Sequence, residues 1–291
     1  MPEGRFRLPK AILSTTGMTL ESSDSCPALA LAEGIAGRFA AIPEVEAVAL
    51  AGSRTSPFAD SQSDVDLYVY ASAILPTSSR AEIALNARRA EIGNSFWEPG
   101  DEWIDAESSI SIDVMFRTTR WIEDQLDSVL QRHEASVGYS TCFWYNVRNS
   151  RVLFDRSGWF RALQEKASQR YPEALQWAIV AKNYPILRSN ISSYLHQIES
   201  AVQRHDPVSV NHRAAAMLAS YFDLVFAVNA QPHPGEKRLV ELARVLCPNL
   251  PSGMAEQVTA FLSALPNNHV TERANAMLDG LDELLRRKGF L

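Results

Sequence analysis

The sequence has 291 residues, of which 46% are apolar and 21% are charged, and its formal net charge is −6. This length allows two modest domains or one large one, and the composition is ordinary for a soluble globular protein. The acidic balance rules out a global basic field that attracts nucleic acid, although a local basic groove stays possible.

Cysteine usage and hydropathy indicate a cytoplasmic protein. The three cysteines, Cys26, Cys142 and Cys247, are far apart and lack metal-ligand spacing, which favours a reducing compartment. The first ten residues contain no apolar signal core. No apolar run approaches the roughly 20 residues that a membrane span needs.

The chain begins with an arm, residues 1–25, followed by a predicted helix over residues 27–41. A strand is predicted next, because Val45 to Ala51 is an apolar run that ends at Gly52-Ser53. A polar loop, residues 54–63, leads into a second predicted strand over residues 64–70. A helix followed by two strands is the order expected where a helix backs a small mixed sheet.

Two carboxylates mark the start of the second strand. Side chains two residues apart on a strand share a face, so Asp64 and Asp66 point together while Val65 and Leu67 point into a core. Neighbouring carboxylates repel each other, and a cation between them relieves the repulsion. Hard oxygen ligands, few in number, suit Mg²⁺ that is held partly by substrate phosphates.

The segment between residues 72 and 107 predicts a loop, a helix and a second loop. Residues 80–92 are rich in Ala, Glu and Arg and predict a helix. Residues 95–107 are acidic and aromatic, and two interpretations compete for them. One is a surface loop with Trp97 and Trp103 packed beneath it. The other is the lip of an acceptor pocket.

A third carboxylate lies on a strictly alternating strand over residues 109–116. Ile110, Ile112 and Val114 form one face, and Asp113 is a lone charge on the other. Three carboxylates from two neighbouring strands could hold a two-metal site for in-line displacement at phosphorus. The sequence therefore predicts that Asp113 lies beside Asp64 and Asp66.

The second half of the chain is predicted to be helical. A helix begins at the cap residue Thr118 and runs to about His133, and residues 138–154 are aromatic and β-prone, with a possible edge strand over 151–155. The predicted domains are residues 1–155 and residues 156–291. Later helices are predicted near 158–170, 171–182, 184–205, 207–230, 234–246, 252–265 and 269–288.

The motif set over residues 45–117 resembles the nucleotidyltransferase superfamily of the DNA polymerase β type. Its likeness is strongest to stand-alone bacterial aminoglycoside and lincosamide nucleotidyltransferases. It is carried by Gly52-Ser53, a ten-residue gap, Asp64-Val-Asp66 and the later strand residue Asp113. Many members have a second glycine four residues after the serine, where this chain has Pro57. A weaker likeness, through Phe226 to Asn229 and His233 to Lys237, is to an uncharacterised bacterial branch with a helical C-terminal domain.

The resemblance implies an α+β protein with a small mixed-sheet catalytic domain followed by an all-α helical bundle. It implies that Gly52, Ser53 and Arg54 contact the triphosphate, and that Asp64, Asp66 and Asp113 bind Mg²⁺. Asp113 would also assist deprotonation of an acceptor hydroxyl. The implied activity is transfer of a nucleoside monophosphate from a nucleoside triphosphate, such as ATP, to a hydroxyl, with release of pyrophosphate.

The acceptor is the least determined part of this hypothesis. The acidic balance favours a cationic small molecule such as an aminoglycoside or lincosamide antibiotic, so no stable nucleic-acid partner and no membrane are expected. Transfer to a protein or tRNA, as in toxin-type relatives, is the first alternative, and a non-catalytic nucleotide-binding module is the second. Weaker candidates for phosphate or base contacts are Lys182, Arg188, Arg213, Lys237, Tyr194 and Tyr221.

Overall fold

Up to residue 155 the described part of the chain contains both strands and helices, and after it the regular elements described are helices. The computed structural model describes residues 27–55, 64–96, 98–265 and 267–291. The elements of the first half are α1 (Pro27–Ala40), β1 (Val45–Leu50), a 3-10 turn (Gly52–Thr55), β2 (Val65–Ala71), α2 (Thr77–Ile83), β3 (Ala87–Asn94), β4 (Gly100–Asp105), β5 (Ser111–Thr118), α3 (Thr119–Leu130), α4 (Cys142–Asn149) and β6 (Arg151–Asp155).

The remaining elements are α5 (Trp159–Ala167), α6 (Glu173–Arg188), α7 (Tyr194–Gln203), α8 (Pro207–Val228), α9 (Leu239–Leu246), α10 (Met254–Ser263) and α11 (Val270–Arg287). Within the described ranges, each helix is too short or too polar to serve as a membrane span. The predicted fold class, a small mixed sheet followed by helices, is confirmed.

The strands of the described residues form one six-stranded mixed sheet in the order β3-β4-β5-β2-β1-β6. The central strands β2 and β5 run parallel, while the other neighbouring strands run antiparallel. β1 and β2 are buried along almost their whole length because the sheet is covered on both faces. The predicted inward face of β2 is confirmed, since Val65, Leu67 and Val69 are fully buried.

Each face of the sheet packs against its own helices. On one face, Ile35 and Phe39 of α1 pack with Val48, Leu67 and Val114 of the strands, and all five are buried. The other face packs against α3, α4 and α5, through a separate set of buried side chains that includes Tyr70, Ile122, Leu126, Trp144 and Phe160. The carboxylate-bearing positions of β2 and β5 lie on this second face, because they share it with Tyr68, Tyr70 and Met115.

The helices of the second half build a third apolar cluster around α8. Met217, Tyr221, Leu224 and Val225 of α8 are fully buried, as the helical spacing predicted. The packing also crosses residue 155, because α5 and the first half of α6 contribute to the cluster beneath the sheet. The domain boundary at residues 155 and 156 stays a prediction.

A buried polar cluster joins the loop before α4 to the helices behind it. Ser140 donates hydrogen bonds to Asp223 from its backbone N–H (3.0 Å) and its hydroxyl (2.6 Å), and Asn183 donates a third (3.2 Å). The backbone N–H of His233 donates to the Thr141 hydroxyl over 2.7 Å, and the His233 ring is fully buried. Burial raises the pKa of Asp223 to about 7 and lowers the pKa of His233 to about 3.

Two predictions for residues 80–107 are wrong. The predicted helix over residues 80–92 is replaced by the end of α2 and by β3, an edge strand. The loop predicted over residues 95–107 contains β4, which lies between β3 and β5. Residues 87–94 are mostly exposed and therefore lack an apolar face for a helix, so backbone pairing with β4 decides their structure. Trp103 is buried as predicted, at 5% exposure.

Other predicted boundaries shift in the helical part. Residues 142–149 form α4 rather than β structure, whereas the edge strand over residues 151–155 is confirmed as β6. Pro185, predicted as a helix break, lies inside α6, and the predicted helix over 184–205 is reduced to α7. The proline lies within the last turn, so α6 ends only three residues later. The arm, most of the loop after Thr55, and Trp97 lie outside the described residues.

Candidate active site

The parallel pairing of β2 and β5 places two of the predicted carboxylates side by side. Asp66 and Asp113 are Cα partners, next to the first pair of the register that runs from Val65–Ile112 to Ala71–Thr118. Paired residues on neighbouring strands project to the same face, so both carboxylates share the face that also carries Tyr68. Asp64, one residue before β2, is exposed, whereas Asp66 and Asp113 are partly buried. The register thus places Asp66 and Asp113 side by side, and Asp64 lies one residue before β2.

Gly52 lies directly against the carboxylate of Asp66. The glycine follows β1 and has φ +66°, a conformation that other residues rarely adopt. A Cβ atom at this position would lie 1.8 Å from Oδ2 and 2.6 Å from Cγ of Asp66. The N–H of Ala51 donates to the carbonyl of Asp66 over 3.0 Å, which fixes this close approach. A glycine is therefore required here by both backbone conformation and space.

The other predicted phosphate contacts are only partly described. Arg54 donates from Nε to the backbone carbonyl of Asp64 over 2.9 Å, so it stabilises the entry into β2. Thr55 donates from its hydroxyl to the carbonyl of Gly52 over 3.0 Å and closes the turn. Ser53 belongs to this turn, but its side chain lies outside the described part of the chain. The roles of Ser53 and Arg54 towards a triphosphate stay predictions.

The electrostatics of the site act most strongly on Asp113. Burial, the negative charges of Asp66 and Glu102, and smaller effects of Glu98 and Asp64 together raise the pKa of its carboxyl to about 6. The neighbouring carboxylates therefore disfavour the ionisation of Asp113. A divalent cation between them would reverse that effect, and oxygen donors of this kind fit Mg²⁺ in chemistry.

Two further carboxylates extend the row, and the sequence analysis placed neither of them beside Asp113. Glu102 on β4 is the Cα partner of Asp113, and Glu91 on β3 is the Cα partner of Glu102. The Nδ2 of Asn94 donates to Glu102 over 2.9 Å, and Arg89 pairs with Glu91 over 2.5 Å. Asp101 and Trp103 are buried and Glu102 between them is exposed, which is the alternation of a strand. The sequence analysis interpreted this segment as a loop.

An open cavity of about 450 Å³ runs alongside this row. Its lining includes Asp64, Asp113, Glu91 and Glu102, with Arg89 as the one basic lining residue described. The volume is within the range of small-molecule sites. Within the described ranges, however, no three acidic, histidine or cysteine side chains are positioned closely enough to hold a metal ion as they stand. The donor chemistry therefore fits a divalent cation, while the side chains would have to turn towards it.

The candidates from the helical part do not join this site as described. Arg188 forms ion pairs with Asp279 (2.7 Å) and Asp282 (2.6 Å) that tie α6 to α11. Tyr221 is fully buried in the core, so it is not available to stack on a base. Tyr194 packs partly buried against the same core, and Lys182, Arg213 and Lys237 remain predictions without a described contact to the carboxylates.

Comparisons with known proteins give limited information. A profile of the family described as "Domain of unknown function (DUF4037)" matches residues 143–239, a range that runs from the second residue of α4 to the first residue of α9 and contains none of the three aspartates. No curated protein sequence matches the chain.

One solved structure similar to this chain is the crystal structure of a nucleotidyltransferase-like protein from Exiguobacterium sibiricum 255-15. The identity is 14% and the TM-score 0.39, over 87% of this chain and 72% of the other. At that TM-score the likeness adds nothing to the argument about this chain.

Proposed function

We propose that this protein is a divalent-metal-dependent nucleotidyltransferase, in which the carboxylates of β2 and β5 hold the metal and a nucleoside triphosphate. The observation that supports the proposal most directly is the register pairing of Asp66 with Asp113, beside a glycine whose backbone abuts Asp66. Like charges held side by side cost stability unless a ligand compensates them. The motif resemblance of residues 45–117 points to the same chemistry.

The residues of this chain have distinct roles in the proposed reaction. The turn at Gly52 leaves its backbone N–H groups free of a nearby Cβ atom, which suits contact with phosphate oxygens. Asp64, Asp66 and Asp113 are the residues that would hold the cation. When bound, Mg²⁺ would draw negative charge from the triphosphate oxygens and lower the pKa of an acceptor hydroxyl.

The chemical step is an in-line displacement at the α-phosphorus. The acceptor oxygen forms a bond to this phosphorus, the bond to the bridging oxygen breaks, and pyrophosphate leaves with the bonding electrons. The hydroxyl proton passes to the carboxylate of Asp113.

The acceptor is proposed to be a small cationic molecule with hydroxyl groups, of the aminoglycoside or lincosamide kind. Glu91 and Glu102 line the cavity next to Asp113 and attract ammonium groups more than phosphates. The same acidic lining disfavours tRNA as an acceptor, because its backbone would be repelled. A purely nucleotide-binding role is left as an outcome of the test.

The test is a pyrophosphate-release assay with ATP, GTP, CTP and UTP against a panel of aminoglycosides and lincosamides, with and without Mg²⁺. We expect release in at least one pairing and only with the metal. Asp66→Asn and Asp113→Asn should each abolish it, while Glu107→Gln, which removes an exposed carboxylate outside the row, should not. Tight nucleotide binding without release in any pairing would instead identify a nucleotide-binding module.

A further inference from the structure

A second cavity of about 450 Å³ lies at the opposite end of the parallel strands from Asp66 and Asp113. Its lining includes Ala71 and Thr118, the last residues of β2 and β5. Arg117 also lines it and follows Asp113 by four residues on β5, which places the two roughly 13 Å apart along the strand. Crevices at the carboxyl ends of parallel strands are frequent ligand sites. This cavity is therefore separate from the carboxylate row.

Apolar side chains form much of the cavity wall and its rim. Ile74 is 92% exposed and Trp121 is 37% exposed, and both line the cavity together with Leu75 and Phe116. Exposed large apolar side chains around a concave surface are a feature of interaction sites. The lining therefore suits a ligand with an apolar or aromatic body.

Two buried arginines line the same cavity. The Arg117 side chain is only 4% exposed, lies 4.0 Å above the ring of Tyr68, and pairs with Glu98 over 2.8 Å. The Arg80 side chain is 10% exposed and lies 4.5 Å above the ring of Phe116. Buried cations held against aromatic rings are fixed in place, which prepares them for an anionic group.

Each of these arginines has one buried nitrogen with no hydrogen-bond partner among the described residues. The nitrogens are Nη1 of Arg117 and Nε of Arg80. A buried donor without an acceptor costs free energy, and a ligand oxygen that accepts from it recovers that cost. The observation points to an acceptor-rich group at the arginine end of the cavity.

The charge of the lining selects the kind of anion. The charged lining residues are Arg80, Arg117 and Glu98, and buried Asp101 behind the lining pairs with Arg80 over 3.5 Å, so two carboxylates balance the two arginines. Glu98 is 40% exposed on its side chain and lies in the short connection between β3 and β4. Glu98 accepts hydrogen bonds from Nε and Nη2 of Arg117, so a ligand anion reaches these two donors when Glu98 moves aside. One net positive charge then remains, which a singly charged group balances and a phosphate dianion exceeds.

We propose that this cavity binds a small organic monocarboxylate with an apolar body, whose carboxylate replaces that of Glu98 beside Arg117 and Arg80. The apolar body lies against Ile74, Leu75 and Trp121. The inference does not depend on the proposed transferase activity, because no carboxylate of the β2–β5 row lines this cavity.

Isothermal titration calorimetry of the full chain with 1-naphthoate tests the proposal, with neutral 1-naphthamide as the matched ligand. We expect saturable binding of the carboxylate with a Kd below about 1 mM and at least about tenfold weaker binding of the amide. Glu98→Gln should tighten naphthoate binding severalfold, because the mouth becomes more positive.

Variants at exposed lining positions separate binding from folding. Replacing Arg117 tests folding as well as binding, whereas Ala73 and Ile74 are exposed. Ala73→Phe should fill the mouth and abolish binding, and Ile74→Ser should weaken it about threefold or more. Ile191→Ser is the matched control, since Ile191 is also 92% exposed but does not line this cavity, and it should leave the Kd unchanged.

Three results would overturn the inference. The first is the absence of saturable heat up to about 5 mM naphthoate. The second is equal affinity for the amide or for inorganic phosphate, which would remove the selection for a monocarboxylate. The third is unchanged binding in Ala73→Phe, which would place the ligand elsewhere on the protein.

Discussion

Replacing Gly52 with alanine tests whether the turn after β1 fixes the position of the Asp66 carboxylate. The new Cβ atom would lie 1.8 Å from Oδ2 and 2.9 Å from Cβ of Asp66, so the aspartate side chain has to rotate away. Alanine also has to adopt φ +66°, which costs roughly 1–2 kcal/mol. We expect a total loss of roughly 2–3 kcal/mol in the free energy of unfolding and loss of nucleotidyl transfer.

Gly158→Ala provides the matched control for this variant. Gly158 has φ +79°, and a Cβ atom there meets nothing within 4 Å, so only the backbone cost applies. The difference between the two variants in the free energy of urea unfolding gives the cost of the clash with Asp66. The pyrophosphate-release assay measures the loss of activity. Gly158→Ala should retain full activity. Equal destabilisation of the two variants, or an active Gly52→Ala protein, would refute the assignment of Gly52 as the residue that positions Asp66.

Three further predictions concern charge and capping. The pKa of Asp113 is raised to about 6, so ionisation of this carboxyl lowers the free energy of unfolding as pH rises through 6. In urea unfolding, Asp113→Asn should therefore be more stable than the wild type by roughly 1–2 kcal/mol at pH 8 but not at pH 4. Asp223 has a pKa raised to about 7, so its contribution to stability is complete below pH 4 and is lost as pH rises to 7. Asp223→Asn should remove a pH dependence of up to about 4 kcal/mol in the free energy of unfolding. His233, whose pKa is lowered to about 3, has the opposite pH dependence below pH 6.5, and it does so in both proteins. Asp206 accepts a hydrogen bond from the N–H of Ser209 at the start of α8 over 3.0 Å, so Asp206→Ala should cost about 1 kcal/mol in thermal unfolding and Asp206→Asn almost nothing. The first prediction is contradicted if Asp113→Asn is less stable than the wild type at pH 8. The second is contradicted by an unchanged pH profile in Asp223→Asn, and the third by equal effects of the two Asp206 variants.

The central strands could be predicted from the sequence because their local pattern and their tertiary environment agree. The alternation of Ile110, Ile112 and Val114 with Asp113 is a strand signal that burial on one face confirms. In β2, Val65 and Leu67 on either side of Asp66 are likewise buried on one face of the sheet. From these two strands alone, the sequence predicted the juxtaposition of the aspartates that the register shows.

The hairpin of β3 and β4 could not be predicted in the same way. Residues 87–94 are Ala, Arg and Glu residues for the most part, which favour a helix when the chain is considered alone. Their strand structure comes from pairing with β4, which in turn pairs with β5, so the decisive contacts are tertiary. Because this hairpin was missed, Glu91 and Glu102 were missed as neighbours of Asp113.

Contacts between distant positions were also beyond prediction from the sequence. Ser140 and Asp223 are 83 positions apart, and nothing in either local segment marks the other as its partner. The same is true of Arg117 and Glu98, whose segments were not both predicted as strands. A pattern of periodicity reports which face of an element is buried, but it does not report against which polar group that face packs.

The parallel pairing of β2 with β5 has a consequence for the order of folding. Its two strands are separated in the chain by α2, β3 and β4, so closing this pair costs loop entropy that neighbouring hairpins avoid. Asp66 and Asp113 consequently meet only after that closure, and their mutual repulsion opposes the late step. If these carboxylates bind a divalent cation as proposed, that cation added during refolding should speed this step selectively.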